Sequence, residues 1–469
     1  MSRKFQVKVI PSNWLKSDGY RLDCGPYLSG AIEARELMIK HRTERLDSLT
    51  EGYNGGIFNG PRFARQYVEE REYGVPFLGS TDILDADITH LPLISTRQVA
   101  DTPQLVIEED WTLITCSGTI GRAAYSRTDM KGMAGSQHFM RVAPDKDKIK
   151  PGFLYSFLSS RFGIPLVISG TYGAIIQHIE PSHLADLPVP RLGAVEEKAH
   201  ELVQRAADLM VESSTIYKKA ADMINQQCGF PEKLAMSARV FAFSVANSNS
   251  LFSRLDATFH NPTAQQAEQL VLDAKGITLN DAGVKGFESN RLKQIFVDEE
   301  FGTPFITSGG IFLKSIEPER FIRTQSLGDD EESWRINQQD ILLARSGQVG
   351  GIIGRGVWSD ARFDGIAASP HIIRLRATDN DYPAGYVFAF LCLTDIGYQL
   401  LSRTAAGSSI PYLPLDAVLK IRIPTSTTKE FREDIHNMVV QAGMLRGQSQ
   451  KLEKDAVLLV EQAIEKGGQ

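Results

Sequence analysis

From about Val195 to Gln227, apolar or small side chains fall at Ala199, Leu202, Ala206, Leu209, Ser213, Ile216, Ala220 and Met223, in alternating steps of three and four. A 3.5-residue period over this length predicts a long helix with a coiled-coil seam. The pattern returns once, at Phe431, Ile435, Met438, Ala442, Leu445, Ser449, Leu452, Ala456, Leu459 and Ala463, with no proline inside it. Both runs place a serine on the seam. Superposing Ser213 on Ser449, an offset of 449 − 213 = 236, sets Leu209 on Leu445, Ile216 on Leu452, Ala220 on Ala456 and Met223 on Leu459. Helices that share a seam bury it against each other or against a partner; the alternative is two unrelated amphipathic helices on separate cores.

The repetition extends beyond the helices. Arg21, Leu22 and Asp23 precede a helix pattern from Ala31 to about Asp47, and Arg254, Leu255 and Asp256 precede one from Thr263 to about Lys275, at an offset of 254 − 21 = 233. Gly74 to Leu78 is answered by Gly302 to Ile306, at 302 − 74 = 228. The β-rich run Trp111 to Cys116 and the turn Ser117 to Gly121 are answered by Asp340 to Arg345 and Ser346 to Gly350. Ser136, His138 and Arg141 match Ser369, His371 and Arg374, and the short helix pattern Phe153 to Leu158 matches Tyr386 to Leu391. Gly173, Ile176, His178 and Ile179 fall on Gly407, Ile410, Tyr412 and Leu413, and Leu187, Val189 and Pro190 on Ile421, Ile423 and Pro424. Offsets confined between 228 and 236 mean one domain present twice with small loop changes. The expected division is an N-terminal segment 1–19, a first domain 20–192, a long helix 193–229, a linker 230–249, a second domain 250–425 and a second long helix 426–469. Glycine-bounded runs rich in valine and isoleucine give each domain an α+β character with a curved or barrel-like sheet.

Composition narrows the class. Of the 469 residues, 42% are hydrophobic and 23% charged, ordinary for a soluble protein. Met1 to Lys16 has no signal-peptide core and no run approaches the roughly 18 to 20 apolar residues of a membrane span, so a cytoplasmic location without membrane contact is expected. Cys24, Cys116, Cys228 and Cys392 form no Cys-x-x-Cys pair, which indicates neither a zinc site nor a disulfide framework. Lysine and arginine number 51 against 57 aspartate and glutamate, a net charge of −6. Contact with nucleic acid would need local patches or a basic partner.

Two variable α/β domains, each followed by a long helix of nearly repeated sequence, resemble the specificity subunit of type I restriction-modification systems. The resemblance covers about Arg21 to Lys466 and rests on the paired Arg-Leu-Asp openings, the Ser-Gly-x-x-Gly turns at 117–121 and 346–350, the Gly407 to Leu413 segment and the helix repeats. It implies two target recognition domains that each read one half of a split sequence in double-stranded DNA. It also implies two long helices forming an antiparallel coiled coil that holds the domains apart and docks methyltransferase subunits, two being expected. Restriction and translocase subunits would join the same assembly, and S-adenosylmethionine, ATP and magnesium would be bound by partners, leaving this chain with no cofactor of its own. The helix length would set the gap between the half-sites, since roughly 32 residues span on the order of 48 Å.

Chemistry within the chain points the same way. Asn261-Pro262 is the nearest approach to an amino-methyltransferase motif and fails at Thr263. Gly351 to Gly356 lacks the spacing of a dinucleotide loop, and no Gly-Lys dipeptide exists for a Walker A loop. Pro144-Asp145 finds its next Glu-x-Lys only at Glu196 to Lys198, on the seam helix. His138 and His371 have no acidic or thiol companion in sequence and read as structural. No catalytic, cofactor-binding or metal residue is therefore assigned. A self-sufficient methyltransferase or nuclease with an unrecognised site, and an adaptor for protein or glycan, stay open as alternatives. Reading bases calls for arginine toward guanine and asparagine or glutamine toward adenine, with lysine, arginine and hydroxyls on phosphates. Ser117, Thr119, Arg122, Arg127 and Lys131 form one candidate group, matched by Arg345, Ser346, Gln348, Arg355 and Arg362. Thr171, Tyr172 and Gln177 form a second, matched by Ser408, Ser409 and Tyr412. For each alone, a solvated or turn residue is the competing account.

Overall fold

Two helices dominate the chain, Ala194–Cys228 and Lys429–Lys466. The computed structural model describes residues 7–17, 24–117, 120–170, 178–234, 254–289, 293–318, 320–328 and 330–467. It divides into two compact units, residues 1–211 with 448–469 and residues 212–447. The units thus cut through both long helices, where the sequence suggested boundaries in front of them. The reason is that each globular part packs on one stretch of each helix.

In the first unit the two stretches run antiparallel. Ser449 Oγ donates to the Ala206 carbonyl at 2.7 Å, while Val203 and Ala207 pack with Ala456, and Ala199 with Val460 and Ile464. In the second unit Ser213 Oγ donates to the Ala442 carbonyl at 2.9 Å, with Tyr217, Ala220 and Ile224 clustering with Ile435 and Val439. Both seam serines therefore do the same thing, at positions 236 apart. Alanine opposite serine lets the backbones approach closely enough for the hydroxyl to reach a carbonyl, a bond worth about 1 kcal/mol. The buried stripe alternates as expected but is rotated. Ala199, Ala206, Leu209, Ser213 and Ala220 are buried as expected, joined by Val203, Met210, Tyr217 and Ile224, while Leu202, Ile216 and Met223 are only partly buried. The second helix repeats the rotation with Val439, Arg446 and Val460. Arg446 fits inside because its Nε donates to Ser213 Oγ at 3.1 Å and its guanidinium lies 4.6 Å from the centre of the Tyr217 ring.

The globular parts share one topology. In the first unit β2 (Ile57–Asn59), β9 (Phe139–Val142), β6 (Thr112–Thr115) and β7 (Ala123–Tyr125) form an antiparallel sheet in that order. A second sheet orders β3 (Tyr67–Val68), β5 (Leu93–Ser95), β4 (Gly74–Leu78) and β8 (Ala134–Gly135), the last pair parallel. β1 (Thr43–Arg45) pairs with β10 (Pro188–Pro190). In the second unit β12 (Val284–Glu288), β19 (Ile372–Ala377), β16 (Ile341–Ala344) and β17 (Gly356–Trp358) repeat the first sheet. β13 (Phe296–Val297), β15 (Arg320–Arg323), β14 (Gly302–Ile306) and β18 (Ala367–Ala368) repeat the second, again closing on a parallel pair. β11 (Ile277–Thr278) pairs with β20 (Arg422–Ile423). The expected α+β character holds, as two four-stranded sheets and one two-stranded sheet among the described residues of each unit. The helix expected from Ala31 to about Asp47 ends at Met38, because Thr43 to Arg45 pair with Pro190 to Pro188 instead. Its counterpart, Pro262–Asp273, is capped by the Asn261 side chain, which accepts the Thr263 amide at 2.9 Å. Arg21 to Asp23 and most of the 230–249 linker lie outside the described residues. Among the described residues, no single helix is long and apolar enough to cross a membrane.

Each globular part is latched to a long helix in the same way. The Gly152 amide, at the start of the helix Pro151–Leu158, donates to His200 Nδ1 at 3.2 Å. The Gly385 amide, in Ala384–Phe388, donates to His436 Nδ1 at 3.0 Å. Glycine is needed there, since a Cβ would stand 2.8 Å from the His200 Cα or 2.7 Å from the His436 Cα. Burial holds both imidazoles below the ordinary histidine range, so the acceptor nitrogen stays unprotonated at neutral pH.

Candidate nucleic-acid interface

The repeated Ser-x-His-x-x-Arg stretch builds the skeleton of a site in each unit. Ser136 and Ser369 are buried, their amides bonded to the Leu78 and Ile306 carbonyls at 2.9 and 3.0 Å. Their hydroxyls accept the amides of His138 and His371, both at 3.3 Å. Three residues on, Arg141 and Arg374 lie fully buried on β9 and β19. Neither meets a carboxylate in a bidentate pair; backbone carbonyls take the guanidinium. Arg141 donates to Gly135 at 2.8 Å and Leu105 at 3.2 Å and sits 4.8 Å from the Phe139 ring centre. Arg374 donates to the Glu332 carbonyl at 2.9 Å and to that of Arg335. Burial pushes both guanidinium groups down to about 10, still charged at neutral pH. These arginines pin the strand that presents the histidine to the loops above it.

The turn after β6 and the segment after β16 then bring a serine to each histidine. Ser117 Oγ lies 2.8 Å from His138 Nδ1, and Ser346 Oγ 3.1 Å from His371 Nδ1. A Ser–His contact is also part of a catalytic triad, in which a third group orients the imidazole. His138 Nε2 meets the Gln137 amide at 3.1 Å. In the first unit these contacts hold a hydroxyl, an amide and an imidazole together.

Around this skeleton the units differ. His138 is held below the ordinary range by burial, then by the positive charges of Arg65, Arg62 and His178. Arg62 and Arg65 are exposed on the segment between β2 and β3, so the first unit carries a local basic patch beside Ser117 and Gln137. Sequence reasoning missed these arginines; the signal was their spacing around Phe63 in a segment opened by Gly60-Pro61, which sets both on an irregular, exposed stretch. In the second unit the expected loops do come together. Ser346 bridges to Tyr412, the Leu413 amide donates to the Arg345 carbonyl at 2.7 Å, and the Gly347 amide donates to the Pro411 carbonyl at 3.1 Å. The Arg345 guanidinium lies 5.6 Å from the Tyr412 ring centre, with its Nε 3.1 Å from Glu288. Gln348, Ser408, Ser409 and Tyr412 are exposed around it.

Other expected residues fall elsewhere. Arg127 is 3% exposed and clamped by Asp129 at 3.0 and 3.1 Å, and Arg362 is clamped by Asp360 at 2.9 and 2.7 Å while bonding the Lys314 carbonyl. In both, the ion pair takes up the guanidinium inside its own unit. Lys131 is exposed but held by Glu109 at 3.1 Å and Glu108 at 3.7 Å, in acidic surroundings unsuited to phosphate. Arg122 serves the hairpin, exchanging bonds with Thr115, and Arg355 stacks 4.4 Å from the Phe312 ring centre. Thr119, Thr171, Tyr172 and Gln177 lie outside the described residues. Asp82, Asp85 and His90 bring possible metal-ligand atoms within 4.8 Å of one another, with Asp82 already accepting the Gly79 amide at 2.7 Å.

No protein-family model and no curated protein matches the chain. Solved structures similar to it include the S subunit of a type I restriction-modification system from M. genitalium, 13% identical with a TM-score of 0.31, covering 91% of this chain and 96% of that one. A structure addressing complex assembly and conformational transition of the type I R-M system is 12% identical, with a TM-score of 0.28 and coverage of 90% and 97%. The HsdS subunit from Thermoanaerobacter tengcongensis is 11% identical, with a TM-score of 0.25 and coverage of 91% and 96%.

Proposed function

We propose that this chain is the specificity subunit of a type I restriction-modification assembly, a non-catalytic reader of double-stranded DNA. The observation that carries the reading is the double one: a single topology and a single Ser–His–Arg skeleton occur twice, and each skeleton is surrounded by different polar side chains. A pair of equal frames with unequal faces suits a bipartite target whose halves differ. Arg345, Ser346, Gln348 and Tyr412 would face one half-site; Ser117, Gln137 and His138 would face the other, with Arg62 and Arg65 on phosphates. The long helices would join the readers and receive two methyltransferase subunits. S-adenosylmethionine, ATP and magnesium would belong to those subunits and to the restriction and translocase subunits, all in the cytoplasm.

The test is a methyl-transfer and cleavage assay on the purified full chain, alone and with its co-encoded methyltransferase. The chain alone transfers no labelled methyl group and cuts nothing, and the pair methylates a split motif. Methyl transfer by the chain alone would move the reading to a self-sufficient enzyme.

A further inference from the structure

Apart from the Ser–His skeleton, the first unit carries a cluster of metal-ligand side chains on the turn that follows β4. The chain passes through the short helix Asp82–Leu84 and runs on to His90, and one oxygen each from Asp82 and Asp85 and one nitrogen from His90 lie within 4.8 Å of one another. Asp85 is 9% exposed, Asp82 half-buried and His90 exposed, so the cluster opens to solvent on the imidazole side. Asp82 is already oriented, since its Oδ2 accepts the Gly79 amide at 2.7 Å. A donor that holds a carboxylate from behind is the support a metal ligand needs. The second unit shows that the turn itself does not require these side chains. Gly310–Phe312 follows β14 as Asp82–Leu84 follows β4, and the buried Ile311 and Ile316 stand for Ile83 and Ile88, at 311 − 83 = 228 and 316 − 88 = 228. At that offset Asp82, Asp85 and His90 become Gly310, Leu313 and Pro318, and the same turn is built with no ionisable group at any of the three places. Burying a carboxylate where a leucine serves costs stability unless its charge is compensated, and a second carboxylate beside it adds repulsion. A bound cation removes both costs.

We infer that Asp82, Asp85 and His90 form a binding site for one divalent first-row transition ion, zinc fitting best. Carboxylate oxygens alone would suit magnesium or calcium, whereas an imidazole among them selects the transition series. With zinc–ligand distances of about 2.1 Å, ligand atoms stand roughly 3.4 Å apart, so the cluster contracts by at most about 1.4 Å, a movement that rotation of the exposed His90 side chain supplies. Three protein ligands leave a fourth position to water. The ion ties the turn to His90 at the end of β4, whose Leu78 carbonyl accepts the Ser136 amide, so it braces the skeleton of the first unit and not that of the second.

The purified full chain is stripped with a chelator, and zinc, manganese and magnesium ions are titrated into it in turn by calorimetry. The wild type takes up zinc at this site more tightly than manganese, and manganese more tightly than magnesium. Loss of a group that only supports a ligand costs about 10- to 100-fold in metal affinity, so D85L and H90Q, which remove ligands, lose at least that much. Zinc raises the melting temperature of the wild type and leaves those of the two variants where they were. Without metal, D85L melts no lower than the wild type, because it copies the second unit at Leu313. Should D85L fail to fold, H90Q decides, since it changes an exposed side chain. Zinc bound equally by the wild type and both variants overturns the site, and so does a wild type that binds none. Magnesium held as tightly as zinc overturns the transition ion. Neither DNA nor a partner enters the measurement, so its outcome is separate from that of the functional reading.

Discussion

In the first unit His138 is half-buried beneath the charges of Arg65 and Arg62 and touches Gln137; in the second, His371 is exposed and its carbonyl holds Arg345, which faces Glu288 and Tyr412. Underneath, the units agree side chain for side chain: Ser136 with Ser369, Arg141 with Arg374, Gly152 and His200 with Gly385 and His436. The residues that agree are buried or bonded to backbone, and those that differ reach solvent. Buried polar groups are held in place because leaving their partners unsatisfied costs more than a surface change does. The agreement is therefore the fold, and the disagreement is where specificity can be written.

The largest effect should come from the buried arginines. Arg141→Met strands the Gly135 and Leu105 carbonyls and Arg374→Met strands those of Glu332 and Arg335, at a loss of about 3 kcal/mol or more each in urea unfolding of the full chain. A large loss at one and none at the other would break the equivalence of the units. Next come the latches. Gly152→Ala and Gly385→Ala drive a methyl group into the long helix and should each cost about 1 to 3 kcal/mol.

On the surface the units should part. Arg345→Ala is expected to lose about 1 to 3 kcal/mol of discrimination at one base pair. Arg62→Ala and Arg65→Ala should weaken binding to all sequences alike and shrink the salt slope by about one each. Base-specific loss at Arg62, or uniform loss at Arg345, would reverse those assignments.

The smallest effect is with pH. His200 and His436 are held below the ordinary range of about 6.5 by burial, so the unfolded chain takes up their protons first as pH falls. Stability is complete above about 6.5 and declines below it, until pH passes the folded values. The melting temperature should fall between pH 7 and 5.5, and less steeply in His200→Gln and His436→Gln. An unchanged slope in both variants would deny the latches this role.

Much of this was legible in the sequence because a duplication checks itself. Gly74 with Gly302, Ser136 with Ser369 and Ser213 with Ser449 each predicted equivalent places in the fold, and each pair occupies them. The seam's phase was only partly legible, since Leu202 and Val203, or Ile216 and Tyr217, are apolar neighbours and only tertiary packing chooses between them. Composition could not separate Arg127 and Arg362 from Arg345 either. All three pair with a carboxylate in the fold, Arg127 with Asp129, Arg362 with Asp360 and Arg345 with Glu288, and only how deeply the surrounding chain covers each pair sets them apart. Arg62 and Arg65 were missed because their value lies in being near His138, about 75 residues away in sequence, which no local pattern reveals.

The central claim is that each unit reads its own half of a split target. Residues 20–192 are replaced by the equivalent domain of a relative that methylates a different motif, and the methylated motif is read by sequencing host DNA. One half should change to the donor's, and the other half should stay as it was. A change in both halves, or in neither, would contradict the account.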